Sequence, residues 1–85
     1  MAFRLYIFPK IEKKLEKVPQ KDREKIIRSL DVIVENPFCG KQLHGKRSEQ
    51  YSFRVWPYRI IYRVDKKQLF VIVIDFGYRQ GIYNG

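Results

Sequence analysis

Residues 51–64 read Tyr-Ser-Phe-Arg-Val-Trp-Pro-Tyr-Arg-Ile-Ile-Tyr-Arg-Val, and their alternation constrains the fold more than any other feature of the chain. Before Trp56-Pro57 the large apolar positions are Tyr51, Phe53 and Val55; after it they are Tyr58, Ile60 and Tyr62. A period of two places such residues on one face of a strand. Two such runs joined by so short a connection form an antiparallel hairpin. With Trp56-Pro57 as a two-residue turn, Val55 lies opposite Tyr58, Arg54 opposite Arg59, and Ser52 opposite Ile61. Proline is awkward at the second position of the common hairpin turns, so the connection is expected to be wider or to contain a cis bond.

A third strand-like run, residues 69–76, follows a short connection at residues 65–68. Val71 and Val73 then join the apolar face, which needs a cover of helices. The opposite face receives Arg54, Arg59 and Arg63 together with Ile61, Phe70, Ile72 and Ile74. Asp75 is expected on the apolar side, which leaves the facing arginines without an internal counter-ion. Like charges directly opposite each other destabilise a strand pair. A pair that costs stability in this way is a candidate anion site. The plain alternative is two splayed, solvated side chains. The isoleucines and Phe70 on the same face also require a cover, from the C-terminal segment or from a partner.

The upstream half supplies the helices. Residues 2–8 read as a short strand ended by Pro9, which suits a first helical position. Over residues 10–18, Ile11, Leu15 and Val18 recur at helical spacing while Lys10, Lys13, Lys14 and Lys17 face away. Val18-Pro19 breaks this helix, and a longer one runs to about residue 35 with the stripe Ile26, Ile27, Leu30, Ile33 and Val34. Asn36-Pro37 stops it, since the residue before proline is pushed out of the helical region. Residues 38–50 read as a loop carrying Lys41, His44, Lys46 and Arg47, and residues 79–83 as a last short extended piece. The order β-α-α-β-β-β gives an α+β domain over residues 1–85, with a helical hairpin on one face of a mainly antiparallel sheet.

Charge then narrows the partner. The chain carries 18 Lys+Arg against 9 Asp+Glu, a net charge of +9. Residues 36–85 hold nine of the basic groups and only three of the acidic ones, so the excess lies in the strand half. Such an imbalance points to a polyanion, with an acidic protein as the main competitor. Cys39 is the sole cysteine, which excludes an internal disulfide and a Cys-based zinc site and fits a reducing cytoplasm. No stretch approaches the roughly 20 apolar residues of a membrane helix. His44 beside glycines reads first as a surface residue, and Tyr83 by composition as packing.

Several of these stretches together resemble the RelE/ParE toxin superfamily over nearly the whole chain. They are the Pro37 helix stop, Lys41-Gln42-Leu43-His44-Gly45, and Tyr51-Ser-Phe-Arg-Val followed by Tyr58-Arg-Ile-Ile-Tyr-Arg-Val-Asp. Ile74-Asp-Phe-Gly-Tyr-Arg79 with Ile82-Tyr83 completes the pattern. The resemblance implies a toxin of a type II toxin-antitoxin system with an acidic antitoxin as partner. Operator DNA would be met only through that complex. For the RelE branch it implies metal-independent and cofactor-free cleavage of mRNA in the ribosomal A site, by attack of a ribose 2′-OH on the adjacent phosphate. For the ParE branch it implies inhibition of DNA gyrase without cleavage, and an inactive regulatory relative is a third reading. Carried over, Arg59 matches the arginine that contacts the phosphate. Arg54 matches a basic strand residue, Arg79 the arginine of Gly-x-Arg, and Tyr83 the terminal tyrosine proposed to assist proton transfer. Lys41, Lys46, Arg47, Ser52 and Arg63 are the expected RNA contacts. Ser52 stands where a lysine is expected, and Tyr78 where many relatives have histidine or lysine. Arginine stays protonated, so the proton acceptor must come from Tyr83, Tyr78, His44 or the ribosome.

Overall fold

Proline punctuation sets the helices. The computed structural model describes residues 3–43, 45 and 49–78. Helix α1 (Pro9–Glu16) starts on Pro9 at its first position, where the missing N–H would have had no helical partner. Glu12 in its first turn and Lys13 and Lys14 in its last complement the helix dipole. Helix α2 (Gln20–Glu35) follows Pro19 and ends at Asn36, whose φ of −142° and ψ of 83° leave the helical region ahead of Pro37. A single 3-10 turn, Pro37–Cys39, then leads the chain back to the sheet.

The sheet has five strands: β1 (Arg4–Ile7), β2 (Lys41–Gln42), β3 (Gln50–Val55), β4 (Tyr58–Asp65) and β5 (Phe70–Tyr78), in the order β1-β5-β4-β3-β2. Pairing is antiparallel except for β1, which runs parallel to β5. The helix-period and strand-period stripes meet in one core. Ile11, Ile26, Leu30 and Ile33 from the helices pack with Tyr51, Val55, Tyr58, Ile60, Tyr62, Val71, Val73 and Phe76 from the sheet. Phe53 is half-buried beside them, and Ile27, expected in the α2 stripe, is instead exposed.

Two features depart from the sequence reading. Lys41–Gln42, expected to be loop, adds a short edge strand to β3. Strand β5 carries a register shift opposite Ile61 and Tyr62: Val73 pairs with Tyr62, yet Asp75 pairs with Ile61, leaving Ile74 as the extra residue of a bulge. The two hairpin connections also differ in character. Trp56-Pro57 is a cis peptide bond, within the range expected of that turn. In the other, Asp65 Oδ1 accepts hydrogen bonds from the backbone N–H groups of Lys67 and Gln68, each at 3.0 Å. Leu69 then takes a left-handed φ of 59° before β5 begins.

Candidate nucleic-acid interface

The helices cover one face of the sheet, so the other is the place to look for the cationic site. The observed register sets Arg54 directly against Arg59, with Val55 against Tyr58 and Ser52 against Ile61, as the alternation requires. Directly opposite residues bring their Cβ atoms to roughly 5 Å. Two guanidinium groups thus leave the sheet side by side. Arg54 is exposed, whereas Arg59 is half-buried with its Nε shielded from solvent. The pairing continues across β5 to Gly77, which places no side chain beside Arg59. One end of the open face is therefore a row of Arg54, Arg59 and glycine, with the Lys14 ammonium 3.9 Å from where a Cβ of Gly77 would stand.

Two more cations share this face. Arg63, two steps along β4 from Ile61, pairs with Gln50 on one side and Ile72 on the other. Lys41 stands opposite Ser52 because β2 exists, a contact that two residues of sequence were too short to announce. The position of Lys41 is fixed from below by the loop before it. Tyr62, fully buried and stacked on Tyr51 with ring centroids 5.6 Å apart, donates its hydroxyl hydrogen to the Pro37 carbonyl at 2.7 Å. The same hydroxyl oxygen accepts from the Gly40 N–H at 3.2 Å. Burial pushes the Tyr62 phenol far above its usual value near 10, so it stays a neutral donor. Gly40 is required by this approach: a Cβ there would lie 2.5 Å from the Tyr62 hydroxyl and 2.8 Å from the Ser52 carbonyl oxygen.

The bulge corrects one expectation about charge. It brings Asp75 into register with Ile61, hence onto the arginine side of the sheet and not the apolar side. No glycine or proline in Val73-Ile74-Asp75 signals this shift. The carboxylate nevertheless serves another cation: Lys14 of α1 donates to Asp75 Oδ1 at 2.8 Å, and the Phe76 N–H donates to the same oxygen at 2.8 Å. Lys14 also lies 5.2 Å from the centre of the Phe76 ring. The centre of the open face is less solvated than the alternation suggests, since Ile61 is 7% and Ser52 6% exposed. Phe70, Ile72 and Ile74 around them are half-buried.

Of the expected site residues, the structure brings Lys41, Ser52, Arg54, Arg59 and Arg63 onto one face. His44, Lys46, Arg47, Arg79 and Tyr83 lie outside the described residues, as does the side chain of Tyr78. Among the described residues no three His, Cys, Asp or Glu side chains come together as metal ligands. Nor is any described helix long and apolar enough to cross a membrane.

Comparison with known proteins places this geometry. Residues 5–83 match the family described as ParE toxin of type II toxin-antitoxin system, parDE. Curated protein sequences gave no match. Among solved structures, the toxin-antitoxin complex RelBE2 of Mycobacterium tuberculosis is similar at a TM-score of 0.81 and 20% identity. That similarity covers 93% of this chain and 100% of the other. The isolated RelE toxin of E. coli is similar at a TM-score of 0.81 and 25% identity, over 91% of this chain and 84% of that one. The YoeB/ParE toxin from Agrobacterium tumefaciens is similar at 0.76 and 21%, over 91% and 99%. With the family matched along almost its whole length and the helical hairpin on its five-stranded sheet reproduced in these relatives, the chain belongs to the RelE/ParE superfamily of toxins of type II toxin-antitoxin systems.

Proposed function

We propose that the chain is a ribosome-dependent mRNA endonuclease of the cytoplasm that cleaves without a metal or cofactor. The observation that supports this reading best is Arg54 facing Arg59 on the open side of the sheet, with Lys41 and Arg63 on the same face. In the proposed reaction a ribose 2′-OH gives up its proton and attacks the adjacent phosphorus. The P–O2′ bond forms, the P–O5′ bond breaks, and the 5′-oxygen leaves with a proton, so that a 2′,3′-cyclic phosphate remains. Arg54 and Arg59 hold the non-bridging oxygens and stabilise the charge that builds on them, with Arg79 as a third cation. Neither arginine can take the 2′-OH proton, because a guanidinium stays protonated. That role falls to Tyr83, Tyr78, His44 or a group of the ribosome. Lys46, Arg47, Lys41, Arg63 and Ser52 extend the contact to neighbouring nucleotides. An acidic antitoxin would neutralise this face and cover its apolar centre, and operator DNA would be met only by that complex.

Primer extension on mRNA from a purified translation system tests the proposal. The wild type should give cuts in the A-site codon, and Arg59→Ala should reduce them by about 100- to 1,000-fold, the cost of losing one preorganised donor to a developing oxyanion. A second reading, gyrase inhibition without cleavage, is favoured by the ParE description of the matched family and by serine at position 52. Absence of cuts together with loss of gyrase supercoiling would replace the first reading with the second.

A further inference from the structure

The turn between the two arginines carries the chain's single tryptophan. Trp56 and Val32 are the two most exposed large hydrophobic side chains among the described residues, at 58% and 50%. They lie in the same shallow groove, where the hairpin tip meets α2, lined by Lys25, Arg28, Ser29, Val32, Val55 and Trp56. No carboxylate lines it. The Ser29 hydroxyl donates back to the Lys25 carbonyl at 2.9 Å, which leaves Lys25 and Arg28 to set the groove's charge. An apolar floor with an aromatic ring and a purely cationic rim suits a base on the ring and phosphates on the rim. It suits an acidic protein less well, because Val55 is already buried and only two apolar side chains, Val32 and Trp56, are left to cover. Trp56 also stands two residues from Arg54, about 7 Å of extended chain, comparable to the reach from one phosphate to the base of the next nucleotide.

We infer that Trp56 and the groove beside it hold an unpaired RNA base adjacent to the phosphate gripped by Arg54 and Arg59. This rests on the reading of the open face as an RNA site and adds to it a second element on the helical side of the sheet. The strand would pass over the hairpin tip, with its backbone on Arg54, Arg28 and Lys25 and one base stacked on the indole.

Because Trp56 is the only tryptophan, its emission reports on this groove alone. The probe is a short single-stranded 2′-O-methyl RNA, which has no attacking 2′-OH, titrated at low salt and followed by indole emission and by anisotropy of an end label. Support consists of saturable quenching with the same midpoint as the anisotropy change, and no quenching by a duplex of the same length. Trp56→Ala should weaken binding about 5- to 150-fold, and Trp56→Phe should recover most of the loss. Lys25→Ala with Arg28→Ala should lower the slope of log affinity against log salt by about 1.4. Binding that Arg54→Ala weakens, but that leaves the indole emission and Trp56→Ala affinity unchanged, would overturn the inference while the nuclease reading stands. Quenching by an acidic peptide and not by RNA would also overturn it, marking the groove as a protein-docking surface. Wild-type protein that makes no ribosomal cuts, while the quenching and the Trp56→Ala loss of RNA affinity are observed, would count against the nuclease reading alone. Circular dichroism of Trp56→Ala separates loss of binding from loss of fold.

Discussion

Strand β4 borders two different environments along the same eight residues. Tyr58, Ile60, Tyr62 and Val64 face the helices and are buried, while Arg59 and Arg63 on the other side are half-buried around Ile61. On the helix side every neighbour supports the next: apolar atoms meet apolar atoms, and the two polar tips are partnered, the Tyr62 hydroxyl with both a donor and an acceptor and the Tyr58 hydroxyl donating to Asp22 Oδ2 at 3.3 Å. On the open side the neighbours oppose each other, with Arg54 against Arg59. The contrast separates what stabilises this fold from what the fold is arranged to present. Substitutions on the first side should change stability and leave the surface chemistry of the folded molecules intact; substitutions on the second should do the reverse.

The largest test of that division is Ile33→Ala, at a side chain with no solvent exposure in the centre of the core. It should cost about 2–5 kcal/mol in urea unfolding, through lost transfer energy and the cavity left behind. Equal stability of the variant would show that the helices do not define the core. Smaller is Tyr62→Phe, expected to cost about 1–3 kcal/mol because the Gly40 N–H and the Pro37 carbonyl lose their shared partner. Its pH dependence has a definite sign. The folded phenol titrates above its unfolded value near 10, so its contribution is complete below pH 10 and is lost as pH rises beyond it. Wild type should therefore lose stability in alkali more steeply than Tyr62→Phe, and parallel pH profiles would contradict the assigned burial. Gly40→Ala belongs to the same range, about 1–3 kcal/mol, because its Cβ has no room beside the Ser52 carbonyl.

Across the strand the sign reverses. Arg54→Thr should leave stability unchanged or raise it by about 0.2–1 kcal/mol, since it removes like-charge repulsion across the pair. The same variant should bind single-stranded RNA less tightly and with a weaker salt dependence. A marked loss of stability would mean that the arginines are held by the protein for its own sake. The smallest effect belongs to Lys14→Ala. Its partner Asp75 is 45% exposed and the lysine 48%, so solvent screens the pair, and thermal unfolding should register at most about 1 kcal/mol.

The comparison also explains which parts of the molecule were readable in the residue order. The Arg54–Arg59 register followed from a period of two and a turn of fixed length, both local properties. The end of α2 followed from Asn36-Pro37 for the same reason. What escaped was set by contacts between distant segments. The bulge at Ile74 reversed the side on which Asp75 emerges, and β2 formed because the Tyr62 hydroxyl draws in the chain at Pro37 and Gly40, 25 and 22 residues away. The exposure of Ile27 shows the same limit, since helical spacing defines a stripe but not its width. The candidate site was legible in its facing arginines, Arg54 and Arg59, whose spacing is local. Lys41 joined it only through β2.

The parallel pairing of β1 with β5 has a consequence for how the molecule comes into being. Arg4 is matched to Phe70 and Ile7 to Val73, so the first strand waits for residues more than sixty positions later in the chain. Until β5 is made, β4 is an edge whose Ile60, Tyr62 and Val64 have no strand on their second side, and β1 has no partner in the sheet. At roughly 5–20 residues per second, residues 66–78 take about 0.7–2.6 s to add, and for that time the helical hairpin and the β3–β4 ribbon form an unfinished half-sheet. The nascent chain is most vulnerable to proteases and to self-association in that interval. The arginine row, which needs Gly77 alongside Arg59 to be complete, is among the last parts of the surface to be assembled.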